Sequence, residues 1–94
     1  MNIKIKFISL LADYTGEVES ILKIDEESSV KDLIEKLIIK YGEKFVSNFL
    51  TSQNELNKYI LLILNDKDLR TLNGLDTLIM DGDEITFLPV IAGG

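Results

Sequence analysis

The sequence predicts an α+β domain in which one long helix packs across a mixed sheet of four or five strands. Three observations carry this. Apolar residues recur at helical spacing from Val30 to Tyr41. Four further segments, at 2–8, 17–24, 59–64 and 84–90, read as strands. The chain has 94 residues, of which 46% are apolar, enough for one hydrophobic core in one domain spanning 1–94.

The elements follow in order. Residues 2–8 alternate, with Ile3, Ile5 and Phe7 on one face and Asn2, Lys4 and Lys6 on the other. Asp13-Tyr14-Thr15-Gly16 supplies turn residues, and 17–24 continues as a strand with Val18, Leu22 and Ile24 on one face, so the opening reads as a β-hairpin. The helix at 29–41 is the strongest local signal: Val30, Leu33, Ile34, Leu37, Ile38 and Tyr41 form one stripe. Ser29 and Asp32 stand three apart at its start, a capping box with Asp in place of the usual Glu, and Gly42 marks its stop. Phe45, Val46, Phe49 and Leu50 suit a short second helix over 43–50. Thr51–Asn54 reads as loop, and Tyr59–Leu64 as a strand apolar on both faces, central in the sheet or covered by a partner. Turns are expected at Asn65–Asp68, Asn73-Gly74 and Asp81-Gly82. Glu84–Val90 closes the fold, with Pro89 ending the ladder because it has no N–H to donate. The long helix then lies over one sheet face, with the first and last strands as central neighbours.

Composition excludes several kinds of function. Ten Lys and Arg against sixteen Asp and Glu give a net charge of −6. Nucleic acid is therefore not expected as a partner, since its phosphates would repel such a surface, whereas a basic protein groove complements it. There is no cysteine and no histidine, which removes disulfides, thiolate metal sites, cysteine nucleophiles and serine–histidine triads from this chain. The longest apolar run, Tyr59–Leu64, is far short of the ~20 residues that span a membrane, and the first residues alternate unlike a signal peptide, so a cytoplasmic protein is expected. Asp76, Asp81, Asp83 and Glu84 do not follow a calcium-loop spacing and read as turn chemistry; Asp66 and Asp68 read as a solvated turn; no metal site is expected. Without a heptad seam, the free chain is expected as a monomer.

The informative feature is the end, Phe87-Leu88-Pro89-Val90-Ile91-Ala92-Gly93-Gly94. With glycine at ~7% of residues, a terminal pair arises about once in 200 chains. Glycine has no Cβ, so a tail over about 90–94 is slender and flexible enough to thread into another protein's active site and present its carboxylate there.

A hairpin, a crossing helix, an Asp-Gly-Asp turn and a last strand running into Gly-Gly resemble the ubiquitin-like β-grasp sulfur carriers of the MoaD/ThiS family. The resemblance covers essentially the whole chain and is most specific over 81–94. It points to the MoaD-like branch, the small subunits of molybdopterin synthase. Family members commonly carry two prolines before the valine and glycines; here Pro89 is followed by Val90, and 43–58 is longer and more polar than the family minimum.

The resemblance implies a carrier rather than an enzyme: no autonomous catalytic site, and a terminal carboxylate that other proteins activate. An E1-like adenylating enzyme (MoeB/ThiF type) would adenylate Gly94, and persulfide sulfur would convert it to a thiocarboxylate. The molybdopterin synthase large subunit (MoaE type) would then accept the tail, and the sulfur would pass to the pterin precursor. The chain has no Gly-x-x-x-x-Gly-Lys phosphate loop, so ATP-Mg and sulfur come with the partner enzymes and no cofactor is bound here. In this reading Gly94 is modified, Gly93 and Ala92 thread, Leu88, Pro89, Val90 and Ile91 bind along the partner, and Phe87, which alternation places with Ile85 toward the core, anchors the strand or the interface. An apolar patch drawn from Ile8, Ile21, Leu62 or Leu64 and Leu88 is expected on the uncovered sheet face. Two alternatives share the same activated end: a ubiquitin-like modifier joined through Gly94 to target lysines, and a carrier for another pathway such as thiamine synthesis. An inert tail on a plain interaction module is the third reading.

Overall fold

In the computed structural model, residues 1–90 are described. The elements run β1 (Asn2–Phe7), α1 (Leu10–Thr15), β2 (Glu19–Lys23), α2 (Val30–Tyr41), α3 (Glu43–Phe49), β3 (Ile60–Leu64), β4 (Lys67–Asp68) and β5 (Glu84–Pro89). Single 3-10 turns lie at Leu69–Thr71 and Gly74–Asp76. The five strands form one sheet in the order β2-β1-β5-β3-β4. β1 and β5 pair in parallel, with Ile5 opposite Ile85 and Phe7 opposite Phe87, and the other pairs are antiparallel. The mixed five-stranded sheet with the long helix on one face is the α+β architecture the sequence predicts.

The helix begins and ends where its sequence dictates. Asp32 N–H donates to Ser29 Oγ at 3.3 Å, and Ser29 N–H donates to Asp32 Oδ2 at 2.9 Å, which closes the capping box. Gly42, at φ 66°, stops the helix and returns its N–H to the Ile38 carbonyl at 2.8 Å. Val30, Leu33, Ile34 and Leu37 are buried against the sheet.

The centre of the core is aromatic. All four phenylalanines of the chain are buried, Phe7 and Phe87 from the central strands and Phe45 and Phe49 from α3. Phe45 stacks on Phe49 with centroids 4.3 Å apart, and Phe49 meets Phe87 edge-on at 5.7 Å. This contact makes α3 part of the core, although it is only two turns long.

Three local readings need correction. The first two strands pair as expected, but α1 stands between them where a tight turn was expected. Leu11, buried in the core, pins that helical turn, and a six-residue helix is too short to show a period in sequence. Val18 is 68% exposed instead of facing the core; it precedes β2, which begins at Glu19, although its carbonyl already accepts the Phe7 N–H. Lys67 and Asp68, read as turn, return as β4 against Leu64 and Ile63. Asn65, at φ 58°, makes the reversal. The last strand ends at Pro89 as expected. Of the expected tail, Ile91, Ala92, Gly93 and Gly94 lie outside the described residues.

Two measurements check this account. Phe49→Ala removes the ring shared by α3 and β5 and is expected to lower unfolding stability by about 3–5 kcal/mol, whereas Ser29→Ala costs about 1 kcal/mol, both read by denaturant titration. The second concerns the Tyr41 hydroxyl, which donates to Glu17 Oε2 at 2.7 Å. Burial and this bond push the Tyr41 pKa up from 10.0 to about 12, and the same bond holds the Glu17 carboxyl below its ordinary range. A raised tyrosine value favours the protonated folded state, so this contribution is complete below pH 10 and declines as pH rises toward about 12. The Glu17 contribution is present above its ordinary value of 4.5 and declines as pH falls through the lowered one. Stability measured against pH should show both limbs, and Tyr41→Phe should flatten them.

Candidate functional site

β5 carries the chain toward its last residues, and the sheet fixes it on both sides. The Ile8 N–H donates to the Phe87 carbonyl at 3.0 Å from one flank, and the Val90 N–H donates to the Tyr59 carbonyl at 2.7 Å from the other. Alternation then sorts the side chains. Phe87 points into the core and is fully buried, so of the two duties expected of it, strand anchor and partner contact, it has the first and offers no contact surface of its own. Leu88 and Pro89 are half-buried, and Val90 is 43% exposed. Ile91, Ala92, Gly93 and Gly94, the remaining site residues expected from the sequence, lie outside the described residues.

The sheet face away from α2 presents an apolar strip beside this strand. Leu61 lies opposite Leu88, and Ile63 lies opposite Thr86. Tyr59 and Ile8, both exposed, extend the strip toward the end of β5. Leu62 and Leu64, the sequence candidates for this face, are instead buried on the core side, because Ile60, Leu62 and Leu64 share one parity and Leu61 and Ile63 the other. Ile21 is on the outer face but sits opposite Lys4, and the lysines of β1 divide it from the strip. Sequence reading missed Tyr59, Leu61 and Ile63; the signal was the strand apolar on both faces, whose outer residues need a reason to be apolar.

β3 has one flank only partly covered, since β4 pairs with Ile63 and Leu64 alone. An open groove of about 520 Å³ runs there, lined by Leu56, Ile60, Leu62, Leu69 and Leu75, with Val90 at its rim. Apolar strip and apolar groove thus flank the point where the chain leaves the sheet.

The charged residues nearby have structural duties. Lys6 pairs with Glu84 at 3.2 Å and Lys4 with Glu19 at 3.2 Å, exposed pairs worth little stability. Asp81 Oδ1 accepts the Asn2 N–H at 2.7 Å, and Asp83 Oδ2 accepts the Met80 N–H at 2.8 Å, so the carboxylates of the Asp-Gly-Asp turn bind backbone. Gly82, at φ 87°, makes that turn possible. Asp68, read as part of a solvated turn, grips Arg70 through two guanidinium nitrogens, and these hydrogen bonds hold its carboxyl below the ordinary range. Among the described residues no group of three or more Asp or Glu is arranged to hold a metal ion, and no helix is long and apolar enough to cross a membrane.

Comparison with known proteins agrees with this geometry. The ThiS family model matches residues 5–94. The chain is 30% identical over 95 residues to the sulfur carrier protein CysO of Mycobacterium tuberculosis, across 100% of both chains. It is 22% identical over 94 residues to small archaeal modifier protein 3 of Haloferax volcanii, again across 100% of both. Among solved structures, small archaeal modifier protein 1 of Methanosarcina acetivorans superposes with a TM-score of 0.82 at 30% identity, covering 99% of this chain and 96% of that one. CysO in the BexX/CysO complex of Amycolatopsis orientalis gives 0.74 at 26% identity, covering 98% and 99%. A putative molybdopterin converting factor subunit 1 of Pyrococcus furiosus gives 0.76 at 20% identity, covering 97% and 99%, a likeness of fold. With its β-grasp sheet, its last strand leading into Gly-Gly and a family match over nearly its whole length, the chain belongs to the ThiS family of ubiquitin-like sulfur carriers.

Proposed function

We propose that the carboxylate of Gly94 is this protein's reactive group and that it carries sulfur as a thiocarboxylate. The observation that carries the reading is the diglycine end beyond a strand clamped as far as Val90, within a family match that runs through residue 94. In the first step a carboxylate oxygen attacks the α-phosphorus of ATP on an E1-like enzyme, releasing pyrophosphate and forming an acyl adenylate. A persulfide sulfur on the enzyme side then attacks the acyl carbon and expels AMP, giving an acyl disulfide. A second thiol of that machinery breaks the S–S bond and is oxidised to a disulfide, leaving the thiocarboxylate on Gly94. This chain contributes no cysteine to these steps. Its part is to present the end: the Leu61, Ile63 and Leu88 strip docks, and Gly93 and Ala92 pass through a narrow channel.

For the destination of the sulfur we propose the molybdopterin precursor, bound by a molybdopterin synthase large subunit. The Asp81–Gly94 resemblance to the small subunits supports this. The second reading, conjugation through Gly94 to lysines, is favoured by the 30% identity to an archaeal modifier protein. Both use the same activated end and the same docking strip. We further propose that the protein works in the cytoplasm, where these enzymes act.

Incubation with its organism's E1-like enzyme, ATP-Mg and a persulfide donor is expected to add the mass of sulfur in place of oxygen at Gly94, read by intact-mass spectrometry. A variant extended by one residue beyond Gly94 should gain nothing; an unchanged mass for the native chain overturns the carrier reading. Leu61→Asp is expected to weaken activation tenfold or more while the circular dichroism stays native. Gly-Gly remnants on lysines of other proteins would favour the modifier. A stable complex with the synthase large subunit would favour molybdopterin.

A further inference from the structure

The sheet edge farthest from the groove, β2, is open and carries charge in a self-complementary order. Two hydrogen bonds fix which way its backbone points: the Phe7 N–H donates to the Val18 carbonyl at 2.9 Å, and the Ile24 N–H donates to the Met1 carbonyl at 3.0 Å. Alternation between those points turns the backbone groups of Ser20 and Leu22 toward β1 and aims those of Glu19, Ile21 and Lys23 away from it. β2 is first in the sheet order, so no strand of this chain receives them. The side chains of Glu19, Ile21 and Lys23 are exposed, Ile21 at 58%. Sheet edges in monomers are commonly blunted by proline, bulges or charges that repel a second edge, and Glu19–Lys23 has no proline and an unbroken register with β1.

Its charges attract a second edge. Glu19 and Lys23 lie symmetrically about Ile21, two residues to either side. We propose that β2 is a self-recognition edge, at which a second copy of this chain adds its own β2 in antiparallel orientation about a two-fold axis through Ile21. In that register Ile21 meets Ile21 of the second copy, and each Glu19 meets a Lys23. All three are outward-bonding positions, so the register that pairs the charges also gives each free N–H a free carbonyl. Glu19 already holds Lys4 at 3.2 Å. Among the described residues Lys23 has no ion-pair partner, so the contact lines up cation, anion and cation across the seam. A slip by two residues would set Glu19 against Ile21 and move Lys23 beyond the strand to Glu17, whose carboxylate is already held by Tyr41 and Lys40.

The contact is isologous and closes on itself, giving a dimer rather than a fibre. Each five-stranded sheet adds to the other, and β5 lies third from the seam in both copies. The two-fold axis directs the two C-terminal strands to opposite ends, so neither end is covered. One strand edge buries less than the ~1,200–2,000 Å² of a stable interface, and the overall charge of −6 opposes approach, so the dimer forms only at high protein concentration.

Sedimentation equilibrium of the full chain up to millimolar concentration tests this independently of any activation step. Self-association to a dimer is expected. Lys23→Glu and Glu19→Lys should each weaken it at least tenfold, since like charges then oppose each other on both sides of the axis, and an equimolar mixture of the two variants should restore it as a heterodimer. Both substitutions are at exposed positions, and circular dichroism should report an unchanged fold. A chain that stays monomeric throughout, a dimer indifferent to both reversals, or a mixture that fails to associate overturns the proposal.

Discussion

β1 and β5 lie side by side and parallel, Ile5 against Ile85 and Phe7 against Phe87, although they come from opposite ends of the chain. Bringing them together closes a loop of most of the molecule's length, an entropic cost that local structure cannot offset. Burial offsets it: both strands are covered on one face by α2 and α3, and the paired phenylalanines sit in the aromatic cluster with Phe45 and Phe49. Parallel neighbours also need a crossover, and α2 supplies it on the covered face. The remaining elements fill around this pair, β2 beside β1 and β3 beside β5.

The same pairing fixes the strand that leads toward the proposed reactive end. Because β5 is held by β1 and β3, its last described residues are bonded from both flanks, through Ile8 and Tyr59. Alternation gives one strand two duties. Its inward residues, Ile85 and Phe87, stabilise the fold, and its outward residue Leu88 joins Leu61 on the open face. On the proposed reading, a substitution on the outward parity alters recognition with little loss of stability, while one on the inward parity does the reverse.

Most of this architecture was legible in the sequence because it rests on periodicity. The α2 stripe, its Ser29–Asp32 cap and its Gly42 stop stand as read, and so do the parity of β1 and the end of the sheet at Pro89. What was not legible depends on tertiary packing. A helical turn at Leu10–Thr15 exists because Leu11 finds a core site, and nothing local distinguishes it from a turn. In Tyr59–Leu64 every residue is apolar, so composition carries no parity; only the register with β5 sends Leu61 and Ile63 outward and Leu62 and Leu64 inward. The uncovered flank of β3 is likewise a property of how short β4 is, which no residue of β3 encodes.

The Val90–Tyr59 hydrogen bond also works as a depth gauge. Four residues separate this last clip from the end of the sequence, and at ~3.3–3.6 Å per residue they span at most about 14 Å. On the proposed reading, an enzyme that acts on the Gly94 carboxylate while the carrier stays folded keeps its catalytic atoms within that distance of the surface it offers to the sheet. A partner with a deeper centre would have to peel Pro89 and Val90 away from β3. If Gly94 is the group acted on, as proposed, the folded body is thereby a ruler as well as a handle, favouring shallow active sites by length.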